Sequence, residues 1–360
     1  MDFSRIENAK LALLERLAGK ERHQDGGNIL LKARALTAIA GVAVCLGSLS
    51  VGLASASTKP KATHPAVRQN QVINVGTAGA TGIYDPLYVG ILTHAFTRVG
   101  LTVNWEDLTP TSCTDALLSG NIDIGFCGPD LVAGILSDRA AAIISTDGLT
   151  DFSIVGSKGL TSLSQLQGKN VAVTTPGGAI DQAVRAALTH AGLTPGVDVH
   201  IVYLSTNSAA LAAVESGTAS GAGVSPPTIF QATAFGLSVL ANVSKYVPPA
   251  DDGVNIQYAT RHKAQVVAFL RAFEASTKVA SKNRLYAEAA LERYVGTTSP
   301  YQLDGTWNAY RKVWTLKPYP LSGIRATLST LAHDTPPLAG ASTAKPGYFV
   351  NNTYVKLALK

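Results

Sequence analysis

The chain states one plan twice, 97 positions apart, and that repeat limits the folds open to it. Residues 75–82 read Val-Gly-Thr-Ala-Gly-Ala-Thr-Gly around Thr77, and residues 172–179 read Ala-Val-Thr-Thr-Pro-Gly-Gly-Ala around Thr174. Thr109 and Thr111 return as Thr206 and Ser208, Ser119-Gly120 as Ser216-Gly217, and Pro129 as Pro226. The identities are few in a chain rich in Ala, Gly, Ser and Thr. What recurs is the order and spacing of strand, loop and helix cues.

In the first unit, Val72–Gly76, Leu101–Leu108, Ile122–Phe126 and Ala141–Ser145 read as strands. Helices are expected from Pro86 to about Val99, from Ser112 to Leu118, and after Asp130. In the second unit, Asp151–Ser157, Asn170–Thr174, Val199–Tyr203, Gly221–Val224 and Leu237–Asn242 read as strands. Helices follow at Ala179–Ala191 and Ser208–Glu215, with a short one at Leu163–Leu166. Strands alternating with helices through short loops predict parallel sheets covered by helices. From Lys263 the pattern becomes helical, with apolar residues at Val266, Val267, Leu270, Phe273 and Val279 in helical period.

Two such units predict two lobes across a cleft, where ligands of open α/β sheets sit beyond the carboxyl ends of the strands. The strand-end loops are consistent in character: Thr77–Tyr84, Thr109–Ser112, Cys127–Asp130, Thr174–Gly178, Ser205–Ser208 and Ser225–Pro227. Most place Ser, Thr, Asn or Gly at a helix start, where free N–H groups and the helix dipole hold an anion without arginine. The candidate contacts in the first unit are Thr77, Tyr84, Thr111, Ser112, Cys127 and Gly128. In the second they are Thr175, Gly177, Gly178, Asn207, Ser208 and Ser225. Any one hydroxyl equally reads as a helix cap. Asp85 and Asp130 read either as helix N-terminal charges or as partners for a cationic group on the ligand.

Several chemistries find no support. The glycines of Gly76–Gly82 are three apart and do not follow G-x-G-x-x-G, and there is no G-x-x-x-x-G-K-[ST] motif. The seven His residues show no i,i+4 pair, there is no C-x-x-C, and no G-x-S-x-G or Ser/His/Asp set is legible. No metal, cofactor or catalytic residue is expected, and a non-enzymatic role follows. Formal charge is +6; the first 56 residues hold seven Lys/Arg and five Asp/Glu, leaving 23 against 19. Without a basic stripe, nucleic-acid binding is not favoured.

Residues 35–56 carry no charge, follow Lys32 and Arg34, and end Ala54-Ser55-Ala56. This reads as an export signal cut after Ala56, or as an uncleaved membrane anchor. Residues 57–71 read as a disordered tether. Cys45 lies in the middle of the apolar run, after Val44, which disfavours lipidation. Loss of the segment leaves Cys113 and Cys127, both on the strand-end rim, as a disulfide or as two free thiols.

The stretch Ser162-Leu-Ser-Gln-Leu-Gln-Gly-Lys-Asn-Val-Ala-Val173 resembles the s-l-x-D-L-k-G-K-k-v-a-v stretch of periplasmic solute-binding proteins. Thr175-Pro-Gly-Gly178, Ala210–Gly217 and Ser225-Pro-Pro227 fit it too. The likeness is to ABC-importer receptors for aliphatic sulfonates, taurine, nitrate and thiamine-precursor pyrimidines. It spans about residues 72–358, including Phe349–Val355. Gln165 stands where the family carries an acidic residue, and the clustered-cysteine signature of pyrimidine-synthase relatives is absent. The resemblance implies an α/β chain with the type II periplasmic-binding-protein fold, two α/β lobes around a ligand cleft joined by a two-crossing hinge. Residues 72–150 plus 250–360 would form lobe 1 and 151–249 lobe 2, with crossings near 147–153 and 240–258. It implies an exported, monomeric receptor that hands a small solute, such as a sulfonate-like organic anion, to an ABC permease. The lack of Arg or Lys in the six loops leaves a neutral or zwitterionic ligand open. A membrane-tethered sensory module, or an enzyme on the same fold acting on a small pyrimidine, are the alternatives.

Overall fold

The computed structural model describes residues 70–333 and 337–360. The segments read as export signal or anchor, including Cys45, lie outside the described residues, as does all of the tether but Asn70 and Gln71. No described helix is long and apolar enough to cross a membrane.

The first lobe opens with β1 (Gln71–Ala78), then α1 (Asp85–Leu92), β2 (Leu101–Leu108), α2 (Pro110–Ser119), β3 (Ile124–Phe126), α3 (Asp130–Ser137) and β4 (Ala141–Ser145). The second holds β5 (Ser153–Gly156), β6 (Asn170–Val173), α4 (Ala179–His190), β7 (His200–Tyr203), α5 (Asn207–Glu215), β8 (Gly221–Val224), α6 (Thr228–Ala234) and β9 (Ser238–Asn242). The chain then returns as β10 (Asp252–Asn255). Two five-stranded sheets result, ordered β2-β1-β3-β10-β4 and β7-β6-β8-β5-β9. The repeat of 97 is therefore structural: α2, β3 and β4 shifted by that interval begin where α5, β8 and β9 begin.

The sheets are mixed, not parallel as the alternation predicts. β10 runs antiparallel to β3 and β4, and β5 antiparallel to β8 and β9. The cause is topological. Each of these strands enters its sheet from the other lobe, at the carboxyl ends of its neighbours, and so runs against them. β10 is also the strand absent from the sequence reading. Asp-Gly-Val-Asn is four residues of mostly poor strand formers, and its two neighbours alone make it extended.

The expected helix from Pro86 to Val99 is broken. Thr93 turns its hydroxyl back onto the Val89 carbonyl at 2.7 Å, and His94 takes a left-handed φ of 57°. Such back-bonding competes with helix continuation.

Core packing follows the apolar stripes. In α7 (Lys263–Lys282), Val266, Phe269, Leu270, Phe273 and Ala280 are buried at helical spacing. Phe269 stacks on Phe96 with centroids 4.9 Å apart, and Phe273 lies against Phe126 of β3. Each such ring contributes about 1.5–3 kcal/mol by leaving water. Helices α8 (Arg284–Tyr294), α9 (Pro300–Tyr310), α10 (Leu321–His333) and α11 (Thr353–Ala358) complete this side. The tail is anchored where Val350 bridges Ile143 and Phe349 is fully buried.

Between the sheets the chain passes twice, through residues 146–152 and 243–251. The crossings are tied together: Val243 donates to the Phe152 carbonyl at 2.8 Å and Ala250 to the Gly148 carbonyl at 3.0 Å. Gly148 has φ +143°, and a Cβ there would lie 2.5 Å from the Val313 carbonyl oxygen. Gly148→Ala is therefore expected to cost about 2 kcal/mol or more, because backbone cannot yield as a side chain does. A urea melt with an unchanged midpoint would contradict this.

Candidate ligand-binding cleft

Strand ends of both sheets converge on one gap. Gly82, in the loop after β1, donates its N–H to the Pro226 carbonyl of lobe 2 at 3.2 Å. Gly82 has no room for a side chain: a Cβ there would sit 2.4 Å from Thr306 Cγ2 and 2.9 Å from Tyr310 Cε2, both on α9. Trp314 holds the Gly82 carbonyl from the other side at 3.1 Å. A second approach lies between α3 and α4. The Asp130 Oδ1 atom is 3.7 Å from where a Gly178 Cβ would stand, and Thr175 Oγ1 is 2.5 Å from the same point. Thr111 donates to Asp130 Oδ2 at 3.4 Å. Thr111, Asp130, Thr175 and Gly178 are thus brought together from two lobes.

On lobe 2, Gly177 donates to Asp181 Oδ2 at 2.9 Å, and Arg185 pairs with Asp181 at 2.8 Å. Thr175 Oγ1 is buried without a partner. Thr206 caps α5 by accepting from Ala209 N–H. Asn207 donates to Ser225 Oγ at 3.0 Å and accepts from Ser225 N–H at 3.3 Å, which locks two strand-end loops side by side. Ser208 is exposed in the first turn of α5.

Not every candidate faces the gap. Thr77 is fully buried, and its hydroxyl accepts from Trp105 Nε1 at 3.0 Å. That hydroxyl is taken up inside the lobe 1 core. Cys127 is also fully buried, bonded to Cys113 across 14 residues. That bridge pins the β3–α3 loop, which carries Gly128, to helix α2, which carries Thr111 and Ser112. Ser112 Oγ and its N–H are both engaged by the Thr109 cap. Asp85 and Asp130 each occupy the first turn of a helix.

Tyr84 is buried edge-on to Phe126, centroids 5.8 Å apart. Burial raises its hydroxyl pKa well above the usual value, and the charges of Asp147, Asp251 and Asp252 add to the effect. Those three aspartates are the residues sequence reasoning missed. Asp147 lies in the first crossing, Asp251 ends the second, and Asp252 begins β10. Their only signal is acidity inside short segments flanked by apolar strands. Desolvation pushes Asp147 and Asp251 well above the carboxylate range, and Asp252 to about 7. Asp130 is pushed to about 6, again chiefly by desolvation. Among the described residues, no group of three or more His, Cys, Asp or Glu is arranged to hold a metal ion.

No family model matches the chain, and no curated protein matches it. Solved structures do. The alkanesulfonate-binding protein SsuA from Xanthomonas axonopodis pv. citri, bound to MOPS, is similar at TM-score 0.64 and 18% identity, over 80% of this chain and 97% of that one. The periplasmic nitrate-binding protein NrtA from Synechocystis PCC 6803 is similar at TM-score 0.67 and 15% identity, over 80% and 88%. The chain has the two-lobed fold of the periplasmic binding proteins. A mutant of DSZB in complex with biphenyl-2-sulfinic acid shares the architecture at TM-score 0.58 and 11% identity, over 81% and 99%. At these identities the likeness concerns the fold.

Proposed function

We propose that this chain is an exported solute-binding receptor of an ABC importer. It takes up a small organic molecule between its lobes and presents it to a membrane permease. The observation that carries this reading is the meeting of strand-end loops from both lobes, at Gly82 with Pro226 and at Asp130 with Gly178. A ligand placed there touches both lobes at once and favours their closure by hinge rotation. The receptor acts as a monomer, without catalysis, and its N-terminal segment serves export.

The anionic part of a sulfonate-like ligand would rest at the starts of α4 and α5. Helix N-termini hold anions through free N–H groups, and Thr175 supplies an unpartnered hydroxyl. Tyr84, Thr111, Ser112, Gly128, Gly177, Gly178, Asn207, Ser208 and Ser225 form the proposed surround.

A thermal-shift titration with MOPS, ethanesulfonate and nitrate tests the reading. At a hundredfold over its dissociation constant a ligand adds about 2.7 kcal/mol, or about 5 °C or more in melting temperature. Thr175→Ala and Asn207→Ala should each weaken the bound anion by about tenfold, the first by removing a donor and the second by unlocking Ser225. Unchanged affinity in both variants would place the ligand elsewhere. N-terminal sequencing of the exported protein checks cleavage after Ala56.

A further inference from the structure

The two crossings and the start of β10 hold three aspartates, with no counter-charge among the described residues. Asp147 is fully buried, and neither of its carboxylate oxygens has a hydrogen-bond partner. Asp251 Oδ1 and Asp252 Oδ1 are also buried and unpartnered. Ser145 bonds only the second oxygen of Asp252, at 2.7 Å. Asp252 and Asp251 lie close enough to Asp147 to raise its proton affinity, and Asp252 raises that of Asp251. Among the described residues, no salt bridge reaches any of them. Arg185 is already taken by Asp181 and Tyr203.

Buried carboxyl groups are almost always bonded, because desolvating them without a partner is costly. Three like charges together make the site worse, unless a cation joins them. Among the described residues these oxygens form no metal-holding group. The surroundings are aromatic instead. Tyr84 and Tyr319 are buried close enough to sense these carboxylates, and Phe126 packs against Tyr84. Aromatic faces beside carboxylates suit an organic ammonium or amidinium group.

Resting on the receptor reading above, we infer that Asp147, Asp251 and Asp252 receive a cationic nitrogen of the bound solute. The anionic group proposed for the helix starts then belongs to the same molecule, a zwitterion. Asp147 and Asp251 sit on different crossings, so one bound nitrogen touches both hinge strands. Recognition of the charge is thereby coupled to closure.

The test is calorimetry on the full chain at pH 8 with three isosteric pairs: choline and 3,3-dimethylbutan-1-ol, glycine betaine and 3,3-dimethylbutanoate, and 3-aminopropanesulfonate and butanesulfonate. At least one nitrogen-bearing member is expected to bind ten or more times tighter than its carbon isostere, an effect on the order of a buried charge pair. Asp147→Asn and Asp252→Asn should erase that preference while keeping a cooperative melt. Isosteres that bind as tightly as their charged partners overturn the inference and leave the receptor standing. So does a charge preference that survives both variants. If no member binds, and MOPS, ethanesulfonate and nitrate do not bind either, the receptor reading falls and this inference with it.

Discussion

The double variant Cys113→Ala/Cys127→Ala is expected to lose about 3 kcal/mol of stability, the value for closing a loop of some 15 residues in the unfolded chain. The intervening segment spans α2 and β3 and is separated by 14 positions. Both sulfurs are fully buried within the lobe 1 core beside Leu117, Ile122 and Leu131, so the lost packing adds to the entropic effect. The midpoint of thermal unfolding should fall by about 6 °C or more. Ligand affinity should fall too, because the bridge sets where Thr111 stands relative to Asp130. The wild-type protein in reductant should approach the variant's midpoint. Equal melting curves with and without reductant, together with full alkylation of both thiols in the native state, would refute this account.

Much of the architecture was legible because it rests on local patterns. β2, β4 and β8 lie within the strands that apolar runs predict, and Gly120 and Gly217 end matching helices in the two units. The capping residues Thr109 and Thr206 were recognisable as hydroxyls before helix starts, and each accepts a backbone N–H three residues on. Their very success as caps shows why the site was harder to read. One hydroxyl pattern fits both a helix cap and a proposed ligand contact, and only the fold tells Thr77, bonded to Trp105, from Thr175, which lies beside Gly178 near Asp130 of the other lobe. β10 and the three aspartates escaped notice for a different reason. Their environment is made by residues far away in sequence, such as Ser145 against Asp252, 107 positions apart. Burial of that kind leaves no periodic trace in four residues of a hinge.

Stability of the unliganded protein should rise as pH falls from about 7 towards 4, and the aspartates of the hinge should account for much of the slope. The sign follows from proton binding. Burial raises Asp252 from the ordinary carboxylate value to about 7, and raises Asp147 and Asp251 in the same direction. Between the unfolded and folded pKa values the native state binds more protons than the unfolded chain, so stability declines as pH increases through that window. Above about pH 7 the full penalty of a buried, uncompensated charge is present. Asp252→Asn removes one such charge, keeps the shape, and retains a donor or acceptor for Ser145. It should therefore stabilise the unliganded protein at pH 8 by on the order of 2 kcal/mol and do little at pH 4. Every other titratable group is common to both proteins, so the difference between variant and parent isolates the aspartate. Urea melts of both at pH 4, 6 and 8 measure it. A variant that is equally or less stable than the parent at pH 8 would mean that the native hinge already compensates this carboxylate.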